Sequence, residues 1–379
     1  MLLRWAGTIS SHATVNHMDL EDRLSLITRN TEEVVMTDEL RNLLATSTGP
    51  KAYWGFECSG MMHLGMGLVC GRKIKDLVEA GFDFTIFLAD WHSWINNKLG
   101  GDMERIKLCG EYFKECFTSI GLDPQKVKYG WASELAGERD YWEKVIRIAK
   151  GATVNRVLRT LPIMGRSLDE VEIETAAMIY PCMQAADIFH MNLDVACAGI
   201  DQRKAHMLAR ETAEKMKWKK PVCIHTPLLT GLTGPPETPR GAFDEDKDMS
   251  MRIGSKMSKS IPGSTILIHD PEAEIKQKIK NAYCPPKETR SNPIIEIMKY
   301  VILPERGSVT IPRPQKYGGD ITFNDYKTLE DEYVKGSIHP LDLKNAVAEE
   351  LAKVLEPVRE HFKRSPKTLE EMKKIEVTR

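Results

Sequence analysis

No stretch of the chain approaches the ~20 consecutive apolar residues that a membrane-spanning helix requires. The opening Met1-Leu2-Leu3-Arg4-Trp5 runs into a polar Ser/Thr-rich stretch where a secretory leader would have an apolar core. Neither a membrane partner nor export is expected, and the cytoplasm is the expected location. None of the eight cysteines (Cys58, Cys70, Cys109, Cys116, Cys182, Cys197, Cys223, Cys284) stands in a Cys-x-x-Cys pair. That removes the usual zinc and redox motifs and leaves small buried hydrophobes in a reducing compartment. An excess of positive charge is missing too. The formal net charge is -1, which argues against a face that grips nucleic acid along its whole length but is compatible with a local basic patch. Residues 1–17 contain no acid and a single arginine. This is thin for an organellar presequence, so the expectation is a disordered extension, or an upstream start codon with Met18 as the working one.

The composition that is present, 42% hydrophobic and 28% charged over 379 residues, is that of a globular protein. Single cores stop growing near ~250–300 residues, so a large and a smaller domain are expected. Residues 19–44 carry a helical pattern. Lys51 to Glu57 then reads as a strand, followed by a helix through Leu68 and Ile74 to Leu77, and Asp83 to Asp90 is an apolar run suited to a strand buried on both faces. The rhythm returns with a strand over 193–200, a helix over 202–215 and a strand over 221–225. Two βαβ blocks predict an α/β fold: one doubly wound parallel, Rossmann-like sheet interrupted by a helical insertion at about 102–178 and binding its ligand where the connections reverse. Residues 230–254, rich in glycine, proline and acid, read as a mobile functional segment. Leu343, Val347, Leu351, Val354, Leu355 and Val358 fall on one face of a final helix, with a charged, frayed tail beyond Arg364. The expected division is an extension over 1–17, a catalytic domain over 18–255, and a mainly α-helical C-terminal domain over 256–379.

Two strings carry chemistry. Lys256-Met-Ser-Lys-Ser260 places two ammonium groups and two hydroxyls on a loop that can fold over a triphosphate and neutralise charge building on departing pyrophosphate. Ser59-Gly-Met-Met-His63-Leu-Gly65-Met66 follows a strand and opens a helix, where free N–H groups and the positive end of the dipole favour phosphate. Each string alone also fits a plain polar loop or a structural histidine.

Together they resemble the signatures of class I aminoacyl-tRNA synthetases, a His-x-Gly-His element followed some two hundred residues later by Lys-Met-Ser-Lys-Ser. Tyr53-Trp-Gly-Phe-Glu57, Leu88-Ala-Asp-Trp-His92, Tyr180-Pro-Cys-Met-Gln184-Ala-Ala-Asp187, Gly199-Ile-Asp201-Gln202-Arg-Lys204 and His339-Pro-Leu-Asp342-Leu-Lys-Asn345 extend the resemblance to the archaeal and eukaryotic tyrosyl-tRNA synthetases, from about Asp19 to Phe362. The resemblance implies that Tyr53 and Asp187 bind the substrate phenol, that Tyr180, Gln184 and Gln202 hold its amino group and backbone, and that Phe87 and His92 line the pocket. It implies an ATP site of His63, Gly65, Gly199, Asp201, Lys256, Ser258 and Lys259, with His63, Lys256 and Lys259 catalytic. Mg²⁺ arrives with ATP and no dedicated protein metal site is implied. The implied chemistry is in-line attack of the tyrosine carboxylate on the α-phosphate as pyrophosphate leaves, after which the tRNA's terminal 2'-hydroxyl would take the acyl group from tyrosyl-adenylate. Arg203 and Lys204 would reach the acceptor end of tRNA(Tyr), Tyr317 would stack on an anticodon base, and Asp342 would read one. A homodimer through the helical insertion is implied as well.

Blander readings stand beside these. Tyr53 and Phe87 fit core aromatics on strands, Asp187 a paired carboxylate, Lys204 a solvated helix face, and Asp342 a helix N-cap. A tryptophanyl enzyme, a small-metabolite nucleotidyl transferase and a non-catalytic tRNA-binding relative are the rival functions. Three departures qualify the resemblance: Met66 replaces the second signature histidine, the loop 233–255 is long for this branch, and residues 1–17 match nothing in it.

Overall fold

The computed structural model describes residues 18–170, 172–238 and 241–375; the expectation for residues 1–17 lies outside them. A six-stranded sheet organises the chain: β1 (Glu33–Val35), β2 (Lys51–Phe56), β3 (Asp83–Leu88), β4 (Val127–Trp131), β5 (Val195–Gly199) and β6 (Val222–Thr226), in the order β1-β6-β5-β2-β3-β4. All neighbours are parallel except β1, which runs antiparallel along β6. From β2 the chain winds outward through β3 to β4, then returns to β5 on β2's other side and winds outward again to β6. The connections therefore reverse between β2 and β5. Tyr53 pairs with Ala196 and Trp54 with Cys197, so the carboxyl ends of these two strands, Phe56 and Gly199, open onto one crevice, the usual ligand position in such sheets.

Alternation along the strands sorts side chains to two faces. Trp54, Phe56 and Ile86 join a large core that continues into the C-terminal helices. Tyr53 and Phe87 point the other way, into a second core shared with Tyr141, Val145, Ile148 and Met183 from the helices Arg139–Gly151 and Thr175–His190. The sheet thus delivers two aromatic rings to the face that the inserted helices cover.

Several expectations need correction. Residues 19–44 are not all helical, because β1 separates the helices Leu20–Thr28 and Thr37–Thr46. The stretch 102–178 is not purely helical: the helix Met103–Ser119 crosses over to β4, which completes the sheet edge. Residues 230–254 include the helix Lys247–Ser255, capped by the Asp246 carboxylate accepting from the Asp248 and Met249 amides. The final helix is two. Pro340–Val354 ends at Leu355, and Glu356–Arg364 starts with Pro357 in its first turn, where a missing N–H is harmless. Beyond Arg364 a further helix, Lys367–Lys373, buries Leu369 and Met372. Among the described residues no helix is long and apolar enough to cross a membrane.

Backbone pairing ties the first chemical string to the segment that follows the second. His63 bridges Leu267, the Leu64 amide donates to the Ile266 carbonyl at 3.1 Å, and the Ile268 amide donates to Met62 at 3.1 Å. At the other end of the lysine arm, Lys256 bridges Thr230 and the Gly231 amide donates to the Ser255 carbonyl at 2.8 Å. The segment 256–268, which begins with the lysine arm, is pinned at both ends, with Lys256 beside Asp201 and Lys259 beside Ser59.

Candidate active site

Asp187 is 2% exposed on the inner face of the helix Thr175–His190. Its Oδ1 accepts from the Tyr141 hydroxyl at 2.8 Å, and its Oδ2 lies 3.3 Å from His92 Nε2, outside hydrogen-bond alignment. Burial opposes protonation of His92, but the Asp187 charge outweighs it and holds the imidazole above its usual range. Tyr53, also 2% exposed, has its ionisation suppressed first by burial and then by the Asp187 charge. The rings interlock edge to face: Tyr53 with Phe87 at 6.1 Å, Phe87 with His92 at 6.4 Å and His92 with Tyr180 at 4.9 Å between centroids. Tyr53, Phe87, His92, Tyr180 and Asp187 are thus brought together, with Tyr141 added.

The polar side of this pocket runs through Glu57. Its Oε1 accepts from the Tyr180 hydroxyl at 2.8 Å and from Asn96 Nδ2 at 2.9 Å, and Lys98 lies 3.5 Å from its Oε2. Gln184 Nε2 donates to Gln202 Oε1 at 3.3 Å, and Gln202 Nε2 donates to the Ile163 carbonyl at 2.9 Å. Gln184 Oε1 is buried and without a protein partner among the described residues.

Across the crevice lie the groups of the two strings. His63 Nδ1 accepts from the Gly65 amide at 3.2 Å, which leaves the ring's proton on Nε2. Burial, with Lys259 and Lys256 nearby, pushes the His63 pKa down to about 3, so the ring is a neutral donor. Lys256 Nζ lies 2.6 Å from Asp201 Oδ2. Burial disfavours the charge on both, and their mutual attraction outweighs it, raising the lysine and lowering the acid. Gly199 keeps this corner open, since a Cβ there would sit 2.5 Å from Asp201 Oδ1. Lys259 Nζ lies 3.4 Å from the Ser59 hydroxyl, and burial pushes its pKa down to about 8. Ser258 Oγ is 2.9 Å from Ser260 Oγ. Met66 packs against the large core. Among the described residues no group of three or more His, Cys, Asp or Glu side chains could hold a metal ion.

The family described as tRNA synthetases class I (W and Y) matches residues 46–236 and 247–356. A tyrosine–tRNA ligase of Saccharolobus solfataricus is 47% identical over 358 residues, covering 94% of this chain and 97% of that protein. The chain belongs to the tyrosine–tRNA ligases of class I. A second such ligase, from Thermococcus sibiricus, is 46% identical over 96% of this chain and 100% of its own. The crystal structure of the Pyrococcus horikoshii tyrosyl-tRNA synthetase complexed with L-tyrosine superposes with a TM-score of 0.86 at 44% identity, covering 94% of this chain and all of that one.

The remaining candidates lie apart from the crevice floor. Arg203 is forked onto Glu33, at 2.8 Å from Nε to Oε2 and 2.9 Å from Nη2 to Oε1. Lys204 Nζ lies 2.7 Å from Glu245 and 3.2 Å from Asp244. Both acids belong to residues 237–246, which fall between the two stretches matched by the family. Tyr317 is 62% exposed with Lys316 over its ring. Asp342 is not the N-cap of its helix; His339 is, with Nδ1 accepting from the Leu341 amide at 3.1 Å. Arg313 donates to the Gly319 and Ser337 carbonyls at 2.8 and 2.6 Å, tying the Tyr317 turn to the segment that leads into Asp342.

Tyr141 and Glu57 were not assigned from sequence. Glu57 sits inside a recognised block, so that block was its signal. Tyr141 had none beyond apolar helical spacing. Tyr141→Phe keeps the ring and removes a donor to a buried carboxylate, a bond of ~1.5–3 kcal/mol. The KM for tyrosine in steady-state activation is expected to rise about tenfold or more, with the KM for ATP unchanged.

Proposed function

We propose that this chain activates L-tyrosine with ATP to tyrosyl-adenylate and transfers tyrosine to tRNA(Tyr), releasing AMP and pyrophosphate, in the cytoplasm and as a homodimer. The observation that carries this reading is the buried Asp187 carboxylate, which faces Tyr53 in an aromatic pocket opening onto the crevice of His63, Asp201 and the lysine arm. A phenol hydroxyl donating to Asp187 and accepting from Tyr53 satisfies both groups, whereas phenylalanine leaves a buried charge facing C–H. Tyr180, Gln184 and Gln202, with Glu57 behind Tyr180, hold the amino group and fix the carboxylate toward the α-phosphate. Asp201 accepts from the ribose, and His63 Nε2–H, Ser258 and the two lysines take the phosphates, with Mg²⁺ entering on ATP. Arg203 and Lys204 serve the acceptor end of the tRNA. Tyr317 and Asp342, in the helical segment after 256, serve the anticodon, and their linkage through Arg313 supports a shared surface.

Amino-acid-dependent ATP–pyrophosphate exchange tests the assignment. Tyrosine is expected to support exchange and tryptophan not to; exchange with tryptophan alone overturns the reading, and exchange with neither leaves the non-catalytic relative in its place.

Lys259 supplies a pH signature. A lysine with a lowered pKa is fully charged below that value and loses its charge as pH rises through it. The kcat/KM for ATP in exchange is therefore expected to fall above about pH 8, and Lys259→Arg, whose side chain stays protonated to ~12.5 or beyond, should remove that limb. A limb unaltered in the arginine variant assigns it elsewhere.

For the dimer, an apolar groove of about 250 Å³ is lined by Trp142, Val145, Ile146, Val154 and Ile179, with Ile146 64% and Val154 66% exposed. Such a patch on the inserted helices fits a second copy. Ile146→Asp is expected to shift sedimentation from dimer to monomer; a monomeric unmodified protein removes the proposal.

A further inference from the structure

Arg203 opens the helix Arg203–Met216 and keeps 44% of its side chain exposed, yet its guanidinium is fixed in direction. Glu33 occupies Nε and Nη2, and among the described residues Nη1 makes no hydrogen bond within the protein. One edge of a planar donor group is thus spent on holding it, and the rest is left for a planar acceptor elsewhere.

Glu33 is itself held from behind. It stands opposite His225 in the antiparallel pairing of β1 with β6, and the Glu33 Oε2 is 2.8 Å from His225 Nδ1. His225 Nε2 is in turn 3.0 Å from His206 Nδ1. Both histidines are buried, at 0% and 1% exposure. With neutral rings only one proton arrangement fits this line. His225 Nδ1 must donate to the carboxylate, so its Nε2 accepts, and His206 Nδ1 must donate to that. His206 Nε2 is then a bare lone pair, in keeping with its having no partner. Burial keeps His206 uncharged. The His225 hydrogen bond, opposed by partial burial and helped by Arg203, holds the Glu33 pKa at about 2. The three side chains form one line, from a ring in the core to a carboxylate at the rim.

We propose that Glu33, braced by His225 and His206, is a positioning residue for aminoacylation: it sets the Arg203 guanidinium with its open edge toward the acceptor end of the tRNA. The inference rests on the reading above that Arg203 meets tRNA, and adds the device that aims it. An exposed surface ion pair needs no two buried histidines behind it, and a purely structural staple of β1 needs no exposed arginine in front.

Steady-state aminoacylation and tyrosine-dependent pyrophosphate exchange, run on the full chain with Glu33→Gln, Arg203→Ala and the double variant, test it. Glu33→Gln is expected to raise the KM for tRNA about tenfold while kcat stays within about twofold and exchange is unaltered, and to add nothing in the Arg203→Ala background. An unchanged tRNA KM in Glu33→Gln, when Arg203→Ala raises it, overturns the positioning role alone, as does an additive double variant. An unchanged KM in Arg203→Ala overturns the reading beneath it. Should Glu33→Gln lose exchange through misfolding, Glu33→Asp keeps a carboxylate at the position while retracting it from the guanidinium; it is expected to restore exchange yet still raise the tRNA KM, and failure to raise it overturns the inference.

Discussion

Taking a carboxylate out of water costs several kcal/mol unless partners replace the lost hydration, and Asp187 is almost wholly buried. Everything around it offsets that cost. The Tyr141 hydroxyl donates to one oxygen and His92 stands beside the other, while Tyr53 and Phe87 close the pocket from the sheet. The inserted helices therefore do more than cover a sheet face. Arg139–Gly151 brings the donor, Thr175–His190 the acid and the short helix Asp90–Ile95 the histidine, so the pocket exists only where three helices and two strands meet. An acid held this way is rigid, and a rigid acceptor in a dry pocket discriminates by what it leaves unpaired.

The phosphate side is built on the opposite plan. Its charged groups are less buried and sit on segments between elements, yet backbone pairing fixes where those segments run. Leu267 against His63 and Thr230 against Lys256 place both ends of the segment that carries the lysine arm. What is left adjustable is the side chains themselves, with Lys256 on Asp201 and Lys259 beside Ser59. Flexible ammonium groups on a fixed track suit charge that moves during a reaction, as fixed donors suit a phenol that does not.

How far the sequence discloses this depends on how local each signal is. β2, β3, β5 and β6 are legible because strands buried on both faces are written as apolar runs. β1 is three residues containing a glutamate, and β4, Val127-Lys-Tyr-Gly-Trp131, is a half-polar edge strand between helices; neither has a run long enough to announce itself. The break in the last long helix turns on Pro357, which an apolar stripe of correct period conceals. Residues that act in company are the hardest. Tyr141 meets Asp187 across 46 positions and Glu33 meets Arg203 across 170, so their roles lie in the fold and in no local pattern. Asp342 shows the converse: a plausible N-cap by position, displaced by His339 three residues earlier.

The missing second histidine of the first signature finds its physical account in the same pairing. Met66 is partly buried against the large core, and its thioether has no proton to donate to a phosphate. In the proposed reading the phosphate contact falls to His63, whose Nδ1 is occupied by the Gly65 amide and whose Nε2–H is therefore the end that can donate. Gly67 completes the arrangement, because a Cβ there would lie 2.6 Å from Ile268 Cγ2. Ile268 belongs to the segment that follows the lysine arm, and its amide bonds Met62. A side chain at 67 would push that segment away, and with it the bridge that sets Leu267 beside His63. The two signatures are thus mechanically linked: Gly67, just after the first, admits the segment that follows the second, so the lysine arm leads into a base that the helix start itself provides.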